Sequence, residues 1–163
     1  FDAFDFVIIS TTHLQMSGFT IQEGASEADR ARLWVERLDA LLKMPLPWRK
    51  IGIAHLTTPL IGGSDRTMHL RILERLDEKR IRPLFLRAAR AGVGIELNFD
   101  SFSYTEGELT VVLRIYRLAK EAGCKFYLGS DAHHPRAFDR AAENFEHIIE
   151  LLDLQESDKF DFE

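Results

Sequence analysis

The sequence predicts an α/β protein built on parallel strands, and three observations lead there. Four short apolar segments rich in Ile, Val, Phe and Tyr read as strands: Phe6–Ser10, Ile51–Ala54, Val93–Asn98 and Lys125–Leu128. Each is followed by a loop and then by apolar residues at helical spacing. Neighbouring parallel strands need a crossover, and a helix between strands supplies it. No repeat or low-complexity linker divides the 163 residues, which suffice for one domain with a real core. Residues 1–163 are therefore read as a single α/β domain.

The helices follow in order. The first spans Ala28–Lys43, with Trp34, Leu38, Leu41 and Leu42 on one stripe. Ser26 and Asp29 resemble a capping box at its start, and Pro45 and Pro47 end it. The second, Arg66–Lys79, aligns Met68, Ile72, Leu73 and Leu76. The third is expected to begin at Pro83, a favoured first-turn residue, and to stop at Gly92. The fourth, Glu106–Ala122, opens with a Thr105/Glu108 capping box and buries Leu109, Val112, Leu113 and Tyr116. The fifth, Arg140–Leu152, offers Phe145, Ile148, Ile149 and Leu152 to the core. The acidic tail Gln155–Glu163 carries two Phe residues and reads either as a fraying end or as a packed terminal strand. Four strands are too few for a closed eight-stranded barrel, which takes roughly 250 residues. A small open sheet and a segment of a barrel both remain open.

Composition bounds the function. With 45% apolar and 29% charged residues, the chain has the make-up of an ordinary globular protein. Its net charge of −5 argues against a dedicated nucleic-acid binder, which usually carries a basic face. Cys124 is the single cysteine, so no internal disulfide forms. No apolar run approaches a membrane span and no signal peptide is visible, so a cytoplasmic location is the default expectation.

The residues able to bind a metal gather at strand ends. Gly129-Ser130-Asp131-Ala132-His133-His134-Pro135 follows the fourth strand, and on extended backbone Asp131 and His133 would point to one face. A carboxylate and an imidazole converging there suit zinc, manganese or iron, although an Asp capping a turn beside solvated histidines is the plainer alternative. His13 lies just past the first strand, His55 directly follows the second, and Glu96 and Asn98 close the third. In parallel α/β proteins the carboxyl ends of strands converge on one face, where active sites are built. His69 and His147 fall within helices and read as packing or surface residues; on extended backbone His134 would point away from His133, with a substrate contact as its alternative role. Arg80, Arg82, Arg87 and Arg90 read first as a solvated helix face, since Glu and Asp are mixed in just upstream, with a phosphate or nucleic-acid contact as the alternative. Arg136 is better placed to meet an anionic substrate group. Cys124 reads as an inert buried thiol.

In that order, the four strand ends resemble the PHP (polymerase and histidinol phosphatase) family of metal-dependent phosphoesterases. Asp5–His13 is similar to the family's fourth strand, Ile51–His55 to the fifth, Gly94–Asn98 to the sixth and Gly129–His133 to the seventh. The resemblance implies the later strands of a distorted, TIM-like (β/α)7 barrel with outer helices. It makes His13, His55, Asp131 and His133 ligands to divalent metal ions (Zn, Mn or Fe), with Glu96 and Asn98 as nearby support. It implies a hydrolase acting on small-molecule phosphate esters. The family's opening His-x-His motif has no counterpart in this sequence, and Leu56 follows His55 where the family usually has Pro. The sequence opens on Phe1 and enters a strand almost at once, so the expectation is the C-terminal part of a longer domain. A preceding segment or another chain would then cover the open sheet edge. The alternative expectation is a non-catalytic α/β remnant, or a regulatory domain that keeps the fold and binds a partner.

Overall fold

The computed structural model describes residues 3–63 and 65–161. Nine regular elements follow in chain order: β1 (Val7–Ser10), α1 (Glu27–Leu42), β2 (Ile51–Ala54), α2 (Arg66–Glu74), α3 (Glu78–Ala91), β3 (Gly94–Leu97), α4 (Glu106–Glu121), β4 (Lys125–Leu128) and α5 (Ala141–Leu152). The strands form one sheet in the order β1-β2-β3-β4, and every pairing is parallel. The expected α/β class and strand neighbours are therefore present.

Register sorts the side chains into two faces. Ile9, Ile53, Ile95 and Phe126 stand side by side across the sheet. They share one apolar core with Trp34 of α1, Ile72 of α2, Phe85 of α3, Ile115 of α4 and Ile148 of α5. All five helices thus contribute to the core on this face of the sheet. The other face carries Ile8, Gly52 and Gly94 in one row and Ser10, Ala54, Glu96 and Tyr127 in the next.

On that second face the two glycines make room for aromatic rings. A Cβ on Gly52 would lie 2.5 Å from the Tyr127 hydroxyl, and one on Gly94 would lie 2.8 Å from the Phe160 ring. Phe6 meets Tyr127 edge-on at 5.4 Å between ring centres and Phe160 at 5.9 Å. The tail is therefore a packed end and not a frayed one. Lys159 bridges Phe126 in parallel, and the Phe160 N–H donates to the Phe126 carbonyl at 2.7 Å. Phe162 and Glu163 lie outside the described residues.

Two helix limits differ from the sequence reading. The apolar stripe Met68–Leu76 runs past the end of α2, which stops at Glu74. Asp77 then caps a new helix, its carboxylate accepting from the Lys79 N–H, so α3 starts at Glu78 and holds Pro83 inside it. Pro83 is exposed, so the carbonyl of Lys79 that loses its donor faces water. Both expected capping boxes are present, Ser26 with Asp29 and Thr105 with Glu108. Ile149 is exposed on α5, against the expectation that it lies in the core. No helix among the described residues is long and apolar enough to cross a membrane.

Candidate metal centre

The parallel order puts the carboxyl ends of β1 to β4 along one rim of the sheet. His55 sits at the middle of that rim. Its φ of +64° is left-handed, a conformation costly for a side chain bearing a Cβ. The surroundings fix it there. The His55 N–H donates to Glu96 Oε2 at 3.1 Å, and its carbonyl accepts from the Thr12 hydroxyl. Asn98 Nδ2 lies 3.2 Å from His55 Nδ1. An imidazole using Nε2 for a metal keeps its proton on Nδ1, and Asn98 then meets it through its amide oxygen.

The other face of the imidazole ring system meets the remaining candidates. His55 Nε2 stands 3.8 Å from Asp131 Oδ1 and 4.0 Å from Glu96 Oε2. The His13 ring centre lies 4.9 Å from that of His55. His13 Nε2 is buried and has no hydrogen-bond partner among the described residues. The His13 backbone is held from behind, where the Arg37 guanidinium approaches the carbonyls of Thr11 and His13 and donates to that of Thr20.

Asp131 also has a left-handed backbone, φ +48°. Only three non-glycine described residues have positive φ, and two of them are these candidate ligands. The turn at Asp131 undoes the extended geometry that would have aimed Asp131 and His133 together. His133 is 86% exposed, its Nδ1 is 2.7 Å from the Asp131 carbonyl oxygen, and it lies 4.0 Å from Asp131 Oδ1. Arg136 is exposed on the helical turn Pro135–Phe138, where its N–H donates to His134 Nδ1. The structure thus brings His13, His55, Glu96, Asn98 and Asp131 together and leaves His133 and Arg136 at the surface.

Electrostatics follow from burial. Glu96 is only 5% exposed, and burial pushes its carboxyl up to about 7; the His55 N–H opposes this and Asp131 adds to it. Burial lowers the pKa of His55, against the pull of Asp131, and the neighbouring His13 and His133 lower it further. At neutral pH His55 is an uncharged imidazole, the form that ligates metals.

A divalent cation fits this donor set in kind: imidazoles, carboxylates and one orphaned buried nitrogen at His13. It does not fit yet in distance. Two ligands on a tetrahedral zinc stand about 3.4 Å apart. As they stand, no three His, Cys, Asp or Glu among the described residues are grouped closely enough to hold an ion.

Gly129 was missed by reading single residues. A Cβ there would lie 2.2 Å from Glu96 Oε1, so the glycine of Gly-Ser-Asp is what lets the buried carboxylate sit. The other histidines and Cys124 have structural roles. His69 is fully buried with Nε2 2.8 Å from the Thr57 carbonyl, and His147 meets Ser101 Oγ at 2.9 Å and stacks on Phe102. Arg82 and Arg87 are spent on Glu78, Glu121 and Asp39. Cys124 is buried and its thiol is pushed up to about 12, as an inert thiol would be.

No family model, no curated protein and no solved structure matches the chain.

Proposed function

We propose that this chain belongs to a metal-dependent phosphoesterase of the PHP type and supplies the later strands of its TIM-like barrel. The observation that carries the reading is the cluster of His13, His55 and Asp131 on the carboxyl rim, with His13 Nε2 buried and unpartnered. Strand order adds support. Four parallel strands in unreversed order, with helices packed on one face, are compatible with a barrel segment, whereas a doubly wound sheet reverses its order and takes helices on both faces.

In this reading His13, His55 and Asp131 would hold a zinc, manganese or iron ion, and the resemblance adds His133 as a further ligand. When bound, the metal centre lowers the pKa of a water and neutralises charge on the phosphoryl oxygens. Asn98 fixes the His55 ring, and Arg136 meets the substrate phosphate from the rim. The substrate is a small-molecule phosphate ester.

The test is hydrolysis of p-nitrophenyl phosphate with added manganese or zinc. The resemblance assigns further ligands to a His-x-His strand that this sequence does not contain. The 163 residues alone should therefore give turnover near background, and a form carrying such a strand ahead of them should be active. Robust turnover by the 163 residues as a monomer, lost in His133→Ala, would contradict the proposal.

A second reading is a non-catalytic α/β domain, favoured by the outward position of His133. It requires that a form carrying the upstream strand also stay inactive.

A further inference from the structure

We propose that the free edge of β1 docks a second copy of this chain, paired antiparallel about a two-fold axis with Ile8 facing Ile8 of that copy. The inference goes beyond the metal reading and does not depend on it. It starts from a difference between the two edges of the sheet. At β4 the tail takes part of the edge: Lys159 bridges Phe126, and the Phe160 N–H donates to the Phe126 carbonyl. Among the described residues β1 pairs with β2 alone, so its other side keeps a row of unpaired N–H and C=O groups. Edge strands are commonly guarded by Lys, Pro or a bulge. β1 has none of these. Phe6-Val7-Ile8-Ile9-Ser10-Thr11-Thr12 carries no charge, no Pro and no Gly, and the strand pairs with β2 in unbroken register. A short uncharged segment of high β-propensity is the kind that adds to another strand.

Apolar area argues for the occupant. Phe4, Ile8, Met16 and Phe19 are 60%, 55%, 50% and 80% exposed. All come from one stretch of chain. Phe4 precedes β1, Ile8 is on it, and Met16 and Phe19 belong to the turn beyond it. Arg37 ties that turn to the end of the strand, reaching the Thr20 carbonyl and those of Thr11 and His13. At roughly 200 Å² for a large apolar side chain, these four leave about 500 Å² of apolar surface in water. A standard interface takes about 800 Å² from each partner, rather more than half of it apolar. Antiparallel pairing centred on Ile8 sets Phe4 of each copy opposite Thr12 of the other, towards the turn that bears Met16 and Phe19. The patch is thus complementary to itself, as a two-fold contact requires. Parallel pairing of β1 with β4 of a second copy would instead meet the tail at Phe126. A two-fold axis normal to the sheet keeps the helices of both copies on one side and joins the two four-stranded sheets into one.

The experiment is sedimentation equilibrium of the 163-residue chain at about 100 μM, for the parent, Ile8→Lys and Leu86→Lys. The parent should sediment at twice the 18.7 kDa of one chain. Ile8 is already half exposed, so a lysine there stays out of the core, but two lysines would face each other across the strands. Its dissociation constant should rise at least about tenfold. Leu86 is an exposed apolar residue on α3, away from the edge, and its variant should dimerise as the parent does. A folded parent that stays monomeric overturns the inference and leaves the edge to a preceding strand or another protein. A dimer equally tight in Ile8→Lys, or one lost equally in Leu86→Lys, places the contact elsewhere and overturns it too. Should Ile8→Lys fail to fold, Ile8→Thr carries the test, since Thr keeps strand propensity and removes apolar area. Its dimer must be weaker, and an unchanged dissociation constant overturns the inference.

Discussion

His69 shows how one buried imidazole writes itself into the pH dependence of stability. It is fully buried on α2, and burial lowers its pKa below the ordinary value of about 6.5. The folded state therefore favours the neutral ring, whose Nε2–H donates to the Thr57 carbonyl. The unfolded chain takes up a proton near pH 6.5 while the folded one does not. The stabilisation is complete above about pH 6.5 and is lost as pH falls below it. Urea unfolding at pH 7.5 and pH 5.5 should show a smaller loss of stability in His69→Gln than in the parent. An equal loss would show that His69 does not carry it. At this scale the sequence was legible in part. His13, His55 and Asp131 were recognisable because a strand-then-polar pattern marks a carboxyl end. The left-handed backbone at Asp131 was not, because Asp tolerates that conformation without any signature in its neighbours. That single dihedral moved His133 out to solvent.

Between residue and molecule, the sheet's second face is shaped by what its glycines leave out. Gly94 faces the ring of Phe160 from the tail, and an added methyl would meet it at 2.8 Å. Gly94→Ala should destabilise by about 1–3 kcal/mol through overpacking. In a Phe160→Ala background the same change should cost less than about 1 kcal/mol, because the clash is gone. Urea midpoints for the four proteins of this cycle measure it; additive costs would show that the two residues do not press on each other. Strand limits were legible because short apolar runs end in polar residues. The α2–α3 break was not, because Leu76 continues the stripe of Ile72 and Leu73 although the helix has already ended. The tail was undecidable, since its docking depends on Gly94, more than sixty residues away in sequence.

The whole molecule is a sheet with helices on one face, an aromatic floor on the other and a polar rim at the carboxyl ends. Parallel strands without order reversal place His13, His55, Glu96 and Asp131 on that one rim, although they are scattered across the sequence. Alternation of strands and helices makes this placement legible in the sequence. Which side chains actually touch was not legible, because that depends on register and on loop backbone. The tail occupies the outer edge of β4 near its amino end. The backbone pairing of the tail with β4 is thus at Phe126, away from the carboxyl rim. We propose that the rim holds a metal. The direct measurement is elemental analysis of protein purified and dialysed without chelator, for the parent and for a double variant, Asp131→Ala with His133→Ala. The parent should carry zinc, manganese or iron, and the double variant should carry clearly less. Equal metal in the two proteins would contradict the assignment.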